Sequence, residues 1–304
     1  MIETVKRVGY KAFGFRVLSE ILLPELPLAN GINQLDDITV QLADLSEQWT
    51  RLSEQQKSFM VKENMVMFKI PDTAIFCIKD GDKILVSPLA RGKEDKIRLY
   101  LLGSCMGALL MQRKILPIHG SAVAINGKAF AFIGESGAGK STLATALLNE
   151  GYQLLSDDVI SITQSRDQIP YVTPSYPQQK LWKESLDGFG LDPLGYRPLF
   201  ERETKYAIPV PDSFSDVPLP LAGVFELVKT EYGHIGLEPI KKLKRFHTLY
   251  SHTYRNTLIP RLGLNEWHFN ESAKIIKQID MFQLQRPVKG FTVNELVKKI
   301  ISSI

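Results

Sequence analysis

Apolar and polar positions alternate, or gather into β-branched blocks, through about the first ninety residues, and this pattern reads as strand. The predicted strands are Ala12–Leu18, Ile38–Leu42, Met65–Ile70, Thr73–Ile78 and Lys83–Ser87. Asp80-Gly81, between the last two, is a hairpin signal. Pro24 and Pro27 break the pattern after the first strand, and the polar, proline-free stretch from Gln48 to Lys62 reads as an exposed helix or a long loop. From Asp95 to Lys114 the pattern changes to that of a buried helix. Its apolar run, Leu99 to Met111, carries Gly103, Ser104 and Gly107, which allow close packing, and it is too short to span a bilayer. Two domains follow: a β-rich one over residues 1–92 and a second over 93–304.

The second domain opens with Ser121–Ile125 and Lys128–Ile133 on either side of Asn126-Gly127, a type I′ hairpin signal. A two-residue loop fixes the register, so Ile125 faces Lys128, Val123 faces Phe130 and His119 faces Gly134. Next come a glycine-rich loop, a helix over Ser141–Glu150 closed by Gly151, and a strand from Tyr152 to Asp157 that runs on into Val159-Ile160. The helix carries the chain away by about 16 Å, and the strand returns it by roughly 17 Å. Asp157 and Asp158 therefore end level with the loop, and strand alternation should point them to opposite faces. Further on, Gln168 to Gly195 reads as an ordered loop followed by a short helix over Lys180–Leu186. Ala207–Val210, Leu221–Val228 and Gln283–Pro287 read as strands, Lys241–Arg245 as an exposed helix face, and Thr292–Ile301 as an amphipathic helix.

Composition narrows the classes without choosing one. A net charge of +4 is too mild to argue for a nucleic-acid partner. Cys77 and Cys105 sit in apolar runs, which suits buried thiols in a reducing, cytoplasmic setting. The N-terminus shows no signal-peptide apolar region, and no membrane partner is expected.

The chemistry lies in the loop. Gly134 to Ser141 satisfies G-x-x-x-x-G-K-[ST], the phosphate-binding P-loop, between the strand and the helix that the motif requires. Backbone N–H groups of Gly134, Ser136, Gly137, Ala138, Gly139, Lys140, Ser141 and Thr142 would surround a nucleoside triphosphate. Lys140 would reach its β and γ phosphates, and the Ser141 hydroxyl would ligate Mg²⁺. The competing reading is a chance glycine-rich turn. Of the Asp pair, one carboxylate can hold Mg²⁺ and the other can accept the proton of an attacking hydroxyl. His119 enters through the hairpin register, whereas His247, His252 and His268 lack metal spacing and read as structural. The charges from Glu201 to Tyr206 fit a phosphate clamp and a solvated surface equally. The β-rich region carries no chemical motif; it is a recognition or oligomerisation module, or a structural cap.

His119-Gly120, the segment GESGAGKS and, one helix later, Ser156-Asp157-Asp158 together resemble the catalytic domain of HPr kinase/phosphorylase. Within that wider group the chain looks most like the kinases encoded with lasso-peptide precursors, through YKAFGFRVLSEILLPELP, LYLLGSCMGALLMQRKILPIHGSA and YPQQKLW. The resemblance implies an α/β fold, α+β overall, in which a P-loop nucleotide-binding domain follows a smaller β-rich domain. It implies ATP and Mg²⁺, with Asp157, His119 and Lys140 catalytic: Asp157 as general base toward a serine hydroxyl and His119 close to the phosphates. Asp158 becomes the acidic neighbour near the metal, and Arg202 and Lys205 basic residues facing the phosphoryl group or the substrate. The implied reaction is phosphorylation of a precursor peptide on its C-terminal serine, by a chain that can form homo-oligomers. The chain departs from HPr kinase proper in its N-terminal region and after the Asp pair, so an HPr-type kinase/phosphorylase acting on a folded protein is the alternative. A nucleotide-gated peptide-binding module without chemistry is the reading from another class.

Overall fold

The computed structural model describes residues 7–29, 37–52, 59–90, 92–199, 202–231 and 233–304. The chain divides into two compact units, one running to Ile115 and including Thr257–Asn265, the other comprising Leu116–Asn256 and Glu266–Ile304.

The first unit is built on a sheet with, among the described residues, strands β1 (Val8–Ala12), β2 (Phe15–Ser19), β3 (Ile38–Leu42), β4 (Phe59–Lys62), β5 (Met65–Ile70), β6 (Ala74–Lys79) and β7 (Lys83–Pro88). Their order is β1-β2-β3-β7-β6-β5-β4. The stretch expected as one strand, Ala12–Leu18, is a hairpin instead, because Phe13 and Gly14 both adopt left-handed backbone (φ 53° and 76°) and reverse the chain. The Asp80-Gly81 turn forms as expected, with φ of 59° and 69°. Of the polar stretch Gln48–Lys62, the first residues complete the helix Ser46–Leu52, residues 53–58 lie outside those described, and the last form edge strand β4.

The buried helix is present as Glu94–Tyr100 and Met106–Gln112, joined by a π-helical turn over Leu101–Cys105. Tyr100 packs on Phe76, itself stacked on Phe68 of the sheet. This helical segment falls in the first unit, whereas the sequence reading put the domain boundary ahead of it. Cys77 and Cys105 are free and buried.

The second unit holds β8 (Leu116–Ile125), β9 (Lys128–Gly134), β10 (Gln153–Gln164), β11 (Pro170–Thr173), β12 (Gln178–Trp182), β13 (Arg197–Leu199), β14 (Arg202–Pro209), β15 (Leu219–Thr230), β16 (Gly236–Pro239) and β17 (Asp280–Pro287). The main sheet runs β11-β10-β8-β9-β15-β17-β16, and β12-β14-β13 form a small second sheet. Asn126 and Gly127 (φ 51° and 73°) make the two-residue turn, and the ladder pairs Ile125 with Lys128, Val123 with Phe130 and Gly120 with Ile133, the register read from the sequence. Strands β9, β15 and β17 are parallel, so their carboxyl ends share one edge.

Alternation along β9 explains the layering. Ala129, Ala131 and Ile133 pack with Leu249 and Ile275 on one face, while Phe130 and Phe132 pack with Leu143, Leu147, Leu296 and Ile300 on the other. The helices are thus Leu243–His252 and Asn265–Ile276 on the first face, and Lys140–Asn149 and Val293–Ile301 on the second. The short helix expected over Lys180–Leu186 starts later, at Lys183; Gln178–Trp182 is a strand paired with Lys205–Pro209. Pairing with a distant strand overrides the local pattern there.

Candidate active site

The glycine-rich loop joins the end of β9 to the helix Lys140–Asn149. Gly134, Gly137 and Gly139 take φ of 146°, 77° and 106°, backbone that a side chain resists. At Gly134 a Cβ would stand 2.6 Å from the Leu227 carbonyl oxygen on neighbouring β15, so glycine there is also a matter of space. Lys140 is buried and curls back over the loop, its Nζ donating to the carbonyls of Gly134 (2.8 Å) and Glu135 (3.0 Å). Burial pushes its pKa down, against the pull of Asp157. Two further cations meet the loop from the parallel strands: Arg286 Nε donates to the Ala138 carbonyl at 2.7 Å, and Lys229 Nζ lies 3.8 Å from where a Gly137 Cβ would be.

The first residues of the helix turn its face toward β10. Ser141 Oγ donates to Asp157 Oδ1 at 2.9 Å, so the acidic strand does return level with the loop. Thr142 points elsewhere, its hydroxyl 2.7 Å from that of Ser185. Asp157 is buried and accepts three hydrogen bonds: Oδ1 also accepts from Ser121 Oγ at 2.6 Å, and Oδ2 from the Lys180 backbone N–H at 2.8 Å.

Asp158 differs. Its φ is 74°, a left-handed conformation inside a strand, of the kind that costs roughly 1–3 kcal/mol and persists only where the surroundings impose it. Asp157 and Asp158 both meet Lys180, Asp157 through its backbone N–H and Asp158 through its ammonium, which donates to Oδ2 at 2.7 Å. Oδ1 has only the Nδ1 of His119, at 3.5 Å. Burial raises the pKa of Asp158, but the ammonium of Lys180, the nearby His119 and the hydrogen bond overcome that and hold it well below the usual carboxylate range. Burial pushes the pKa of Lys180 down, but the charge of Asp158, the nearby Tyr176 and Tyr254 and the hydrogen bond to Asp158 together carry it above the usual lysine range.

His119 pairs with Val159 across the β8–β10 ladder. Its Nδ1 lies 3.0 Å from the Asp158 carbonyl oxygen, which can only accept, so Nδ1 carries the proton and Nε2 keeps a free lone pair. Desolvation lowers its pKa further than Asp158 raises it, and the ring is neutral near pH 7. Tyr254 packs edge-on against the ring at 5.7 Å between centroids.

Of the basic residues expected downstream, Lys205 lies within electrostatic reach of Lys140 and Asp158, its Nζ 5.3 Å from the centre of the Trp182 ring. The Arg202 backbone pairs with Leu199; its side chain lies outside the described atoms. His252 and His268 bond to Glu226 and Thr253, consistent with structural roles. Sequence reasoning missed Lys180, Lys229 and Arg286. The two cations at the parallel-strand ends could have been found by counting to the carboxyl edge of β15 and β17, whereas nothing local marks Lys180.

Fold and site define a mixed α/β protein with a glycine-rich strand–loop–helix at the carboxyl edge of its parallel strands, faced by two carboxylates, a histidine and several cations. Residues 111–182, which contain His119, the loop, both aspartates and Lys180, match the HPr Serine kinase C-terminal domain family. The HPr kinase/phosphorylase of Mycoplasmopsis pulmonis is 31% identical over 84 residues, 26% of this chain and 27% of the relative. That of Lactobacillus gasseri is 30% identical over 107 residues (32% and 34%), and that of Lachnoclostridium phytofermentans 24% over 152 residues (47% and 49%). The chain thus spans at most about half the length of these relatives (27, 34 and 49%). The solved Hpr(Ser) kinase/phosphatase from Coxiella burnetii aligns over 62% of this chain and 88% of its own at 16% identity and a TM-score of 0.35, too loose a likeness to build on. The likeness to the HPr kinase family thus rests on residues 111–182, the stretch that carries the loop and both aspartates.

Proposed function

We propose that the chain is an ATP-dependent serine kinase whose catalytic domain is the second unit and whose phosphate-binding P-loop is Gly134–Ser141. The observation that carries the reading is the division of labour between two adjacent carboxylates: Asp157 accepts from two hydroxyls and an N–H, while Asp158 keeps Oδ1 open except for the 3.5 Å contact to His119.

The residues present fit a magnesium nucleotide. Lys140 is a buried ammonium held by main-chain carbonyls alone, contacts that phosphate oxygens replace with gain of charge. The N–H groups at the start of its helix and the glycine backbone offer donors for the same anion. Ser141 gives its proton to Asp157, which leaves a lone pair on Oγ for the metal, with Asp157 steadying that hydroxyl from behind. Bound there, Mg²⁺ would neutralise charge on the β and γ phosphate oxygens. Arg286 and Lys229 add positive charge beside Gly137–Gly139 of the loop.

In the proposed reaction the serine oxygen forms a bond to the γ phosphorus, the bond from that phosphorus to the β–γ bridging oxygen breaks, and ADP leaves. The serine proton passes to Asp158 Oδ1. A carboxylate of low pKa serves because in a loose transition state the proton departs late, once the oxygen is already bonded to phosphorus. His119, protonated on Nδ1, holds the Asp158 backbone carbonyl and lies 3.5 Å from Oδ1, and so helps to fix the carboxylate that meets the hydroxyl. These roles exchange the two aspartates relative to the sequence expectation: Asp157 belongs to the metal end and Asp158 to the acceptor. Thr142 drops out of the nucleotide contacts beyond its backbone N–H, and Lys205 remains a candidate for the transferred phosphoryl group.

Two acceptors are the candidates: the C-terminal serine of a lasso-peptide precursor, which the softer sequence resemblance suggests, and a folded HPr-type protein, which the names of the matched relatives suggest. Incubation of the purified chain with γ-labelled ATP, Mg²⁺ and each acceptor tests both. Label on serine of one acceptor is expected; its absence from both, with ATP bound normally, would leave the non-catalytic binding module as the correct reading.

A further inference from the structure

Lys180 has no place in the reaction as drawn, yet it is buried and touches both carboxylates. Its backbone N–H donates to Asp157 Oδ2 at 2.8 Å and its ammonium to Asp158 Oδ2 at 2.7 Å. Neighbouring carboxylates beside a phosphate site commonly hold a pair of divalent ions about 3.5–4 Å apart, one for each end of the transferred group. In this protein the second position already carries a cation, and the chain itself supplies it.

Resting on the kinase reading above, we propose that Lys180 is a built-in replacement for a second metal ion, so that the site works with a single divalent cation at Ser141, whose hydroxyl Asp157 holds from behind. Three observations support it. The ammonium is fixed from both ends, since the strand pairing of β12 with β14 and the N–H bond to Asp157 hold the Lys180 backbone while Asp158 holds its tip. Asp158 keeps a left-handed φ of 74° within β10 while its carboxylate sits on the ammonium, a backbone cost that the surroundings must offset. Asp157 already accepts three hydrogen bonds, two hydroxyls on Oδ1 and the Lys180 N–H on Oδ2, which leaves it little capacity to bridge to a second cation. Lys180 is a positioning residue: it acts on the acceptor serine through Asp158, whose other oxygen it leaves free.

The test counts metal. Mn²⁺ binding is measured by electron paramagnetic resonance in the presence of a non-hydrolysable ATP analogue, for the wild type, Lys180→Arg and Lys180→Ser. One nucleotide-dependent ion per chain is expected for the wild type and Lys180→Arg, and two for Lys180→Ser, where the cavity admits a hydrated ion beside Asp158. Turnover of Lys180→Ser should fall about 100-fold, a typical loss for a removed electrostatic contact, and recover in part as Mn²⁺ is raised. Two ions in the wild type overturn the inference and leave the kinase reading standing, and so does a single ion in a folded Lys180→Ser. Failure of the wild type to bind any nucleotide-dependent ion overturns both.

Discussion

At the scale of single residues, the adjacent aspartates show how position in a hydrogen-bond network, and not residue type, sets a chemical role. Asp157 is surrounded by donors, and Asp158 is paired on one oxygen and open on the other. Asp158→Asn should therefore retain binding of an ATP analogue and lose roughly 10²–10⁴-fold in turnover, the usual span for a removed general base. Asp157→Asn should instead weaken metal-dependent nucleotide binding, because it loosens Ser141. The comparison needs a stability check, since Asp158→Asn strands the Lys180 ammonium, and breaking a buried pair costs about 3–5 kcal/mol. Turnover near the wild-type value in Asp158→Asn would return the base role to Asp157. Adjacency of two aspartates after a P-loop helix is legible in the sequence; which of them is free is not, because that depends on Ser121, Ser141 and Lys180, contributed by three separate elements.

At the scale of elements, the loop and its flanking strands were the most legible part of the chain. Asn126-Gly127 fixes a register by turn chemistry alone, and Gly151 ends the helix at φ 91° as a glycine there should. The glycines are nonetheless not equivalent. Gly134→Ala brings Cβ to 2.6 Å from a backbone carbonyl of β15, which cannot swing aside, whereas Gly127→Ala meets open space at φ 73°. Chemical denaturation should show about 1 kcal/mol lost for Gly127→Ala and clearly more, with weakened nucleotide binding, for Gly134→Ala. Equal losses would mean that β15 does not crowd the loop. The elements misread were those whose partner lies far off in sequence: Lys180 sits in a strand because of Ala207 opposite it, and Ala12–Leu18 breaks into a hairpin because Phe13 tolerates a left-handed turn.

At the scale of the whole second unit, buried titratable groups link stability to pH. His268 is buried against Thr253, whose hydroxyl already donates to the Leu249 carbonyl, so His268 Nε2 is the donor and the ring is neutral. Desolvation pushes its pKa down to about 4 from an ordinary 6.5. Between those values the unfolded chain binds a proton that the folded one refuses, so stability is full above pH 6.5 and is lost as pH falls toward 4. The loss attributable to this group is about 3 kcal/mol at most. Urea unfolding of the wild type and His268→Gln at pH 7 and pH 4.5 measures it: the difference between the two pH values should be smaller in the variant. An identical pH dependence in both would mean that His268 titrates normally in the folded protein.

By itself the sequence determined the local geometry: the turn that sets the β8–β9 register, the glycine backbone of the loop, the helix that follows it, and the distance that brings the acidic strand back level with it. These depend on φ preferences, side-chain period and rise per residue, all properties of neighbours in the chain. Only the tertiary structure decided which carboxylate is open, that Lys180 stands between the two, and that Lys229 and Arg286 reach the loop from β15 and β17. Those facts rest on contacts between strands far apart in sequence and on a left-handed residue within one of them. No local period encodes them, because the energies that fix them exist only once the sheets have formed.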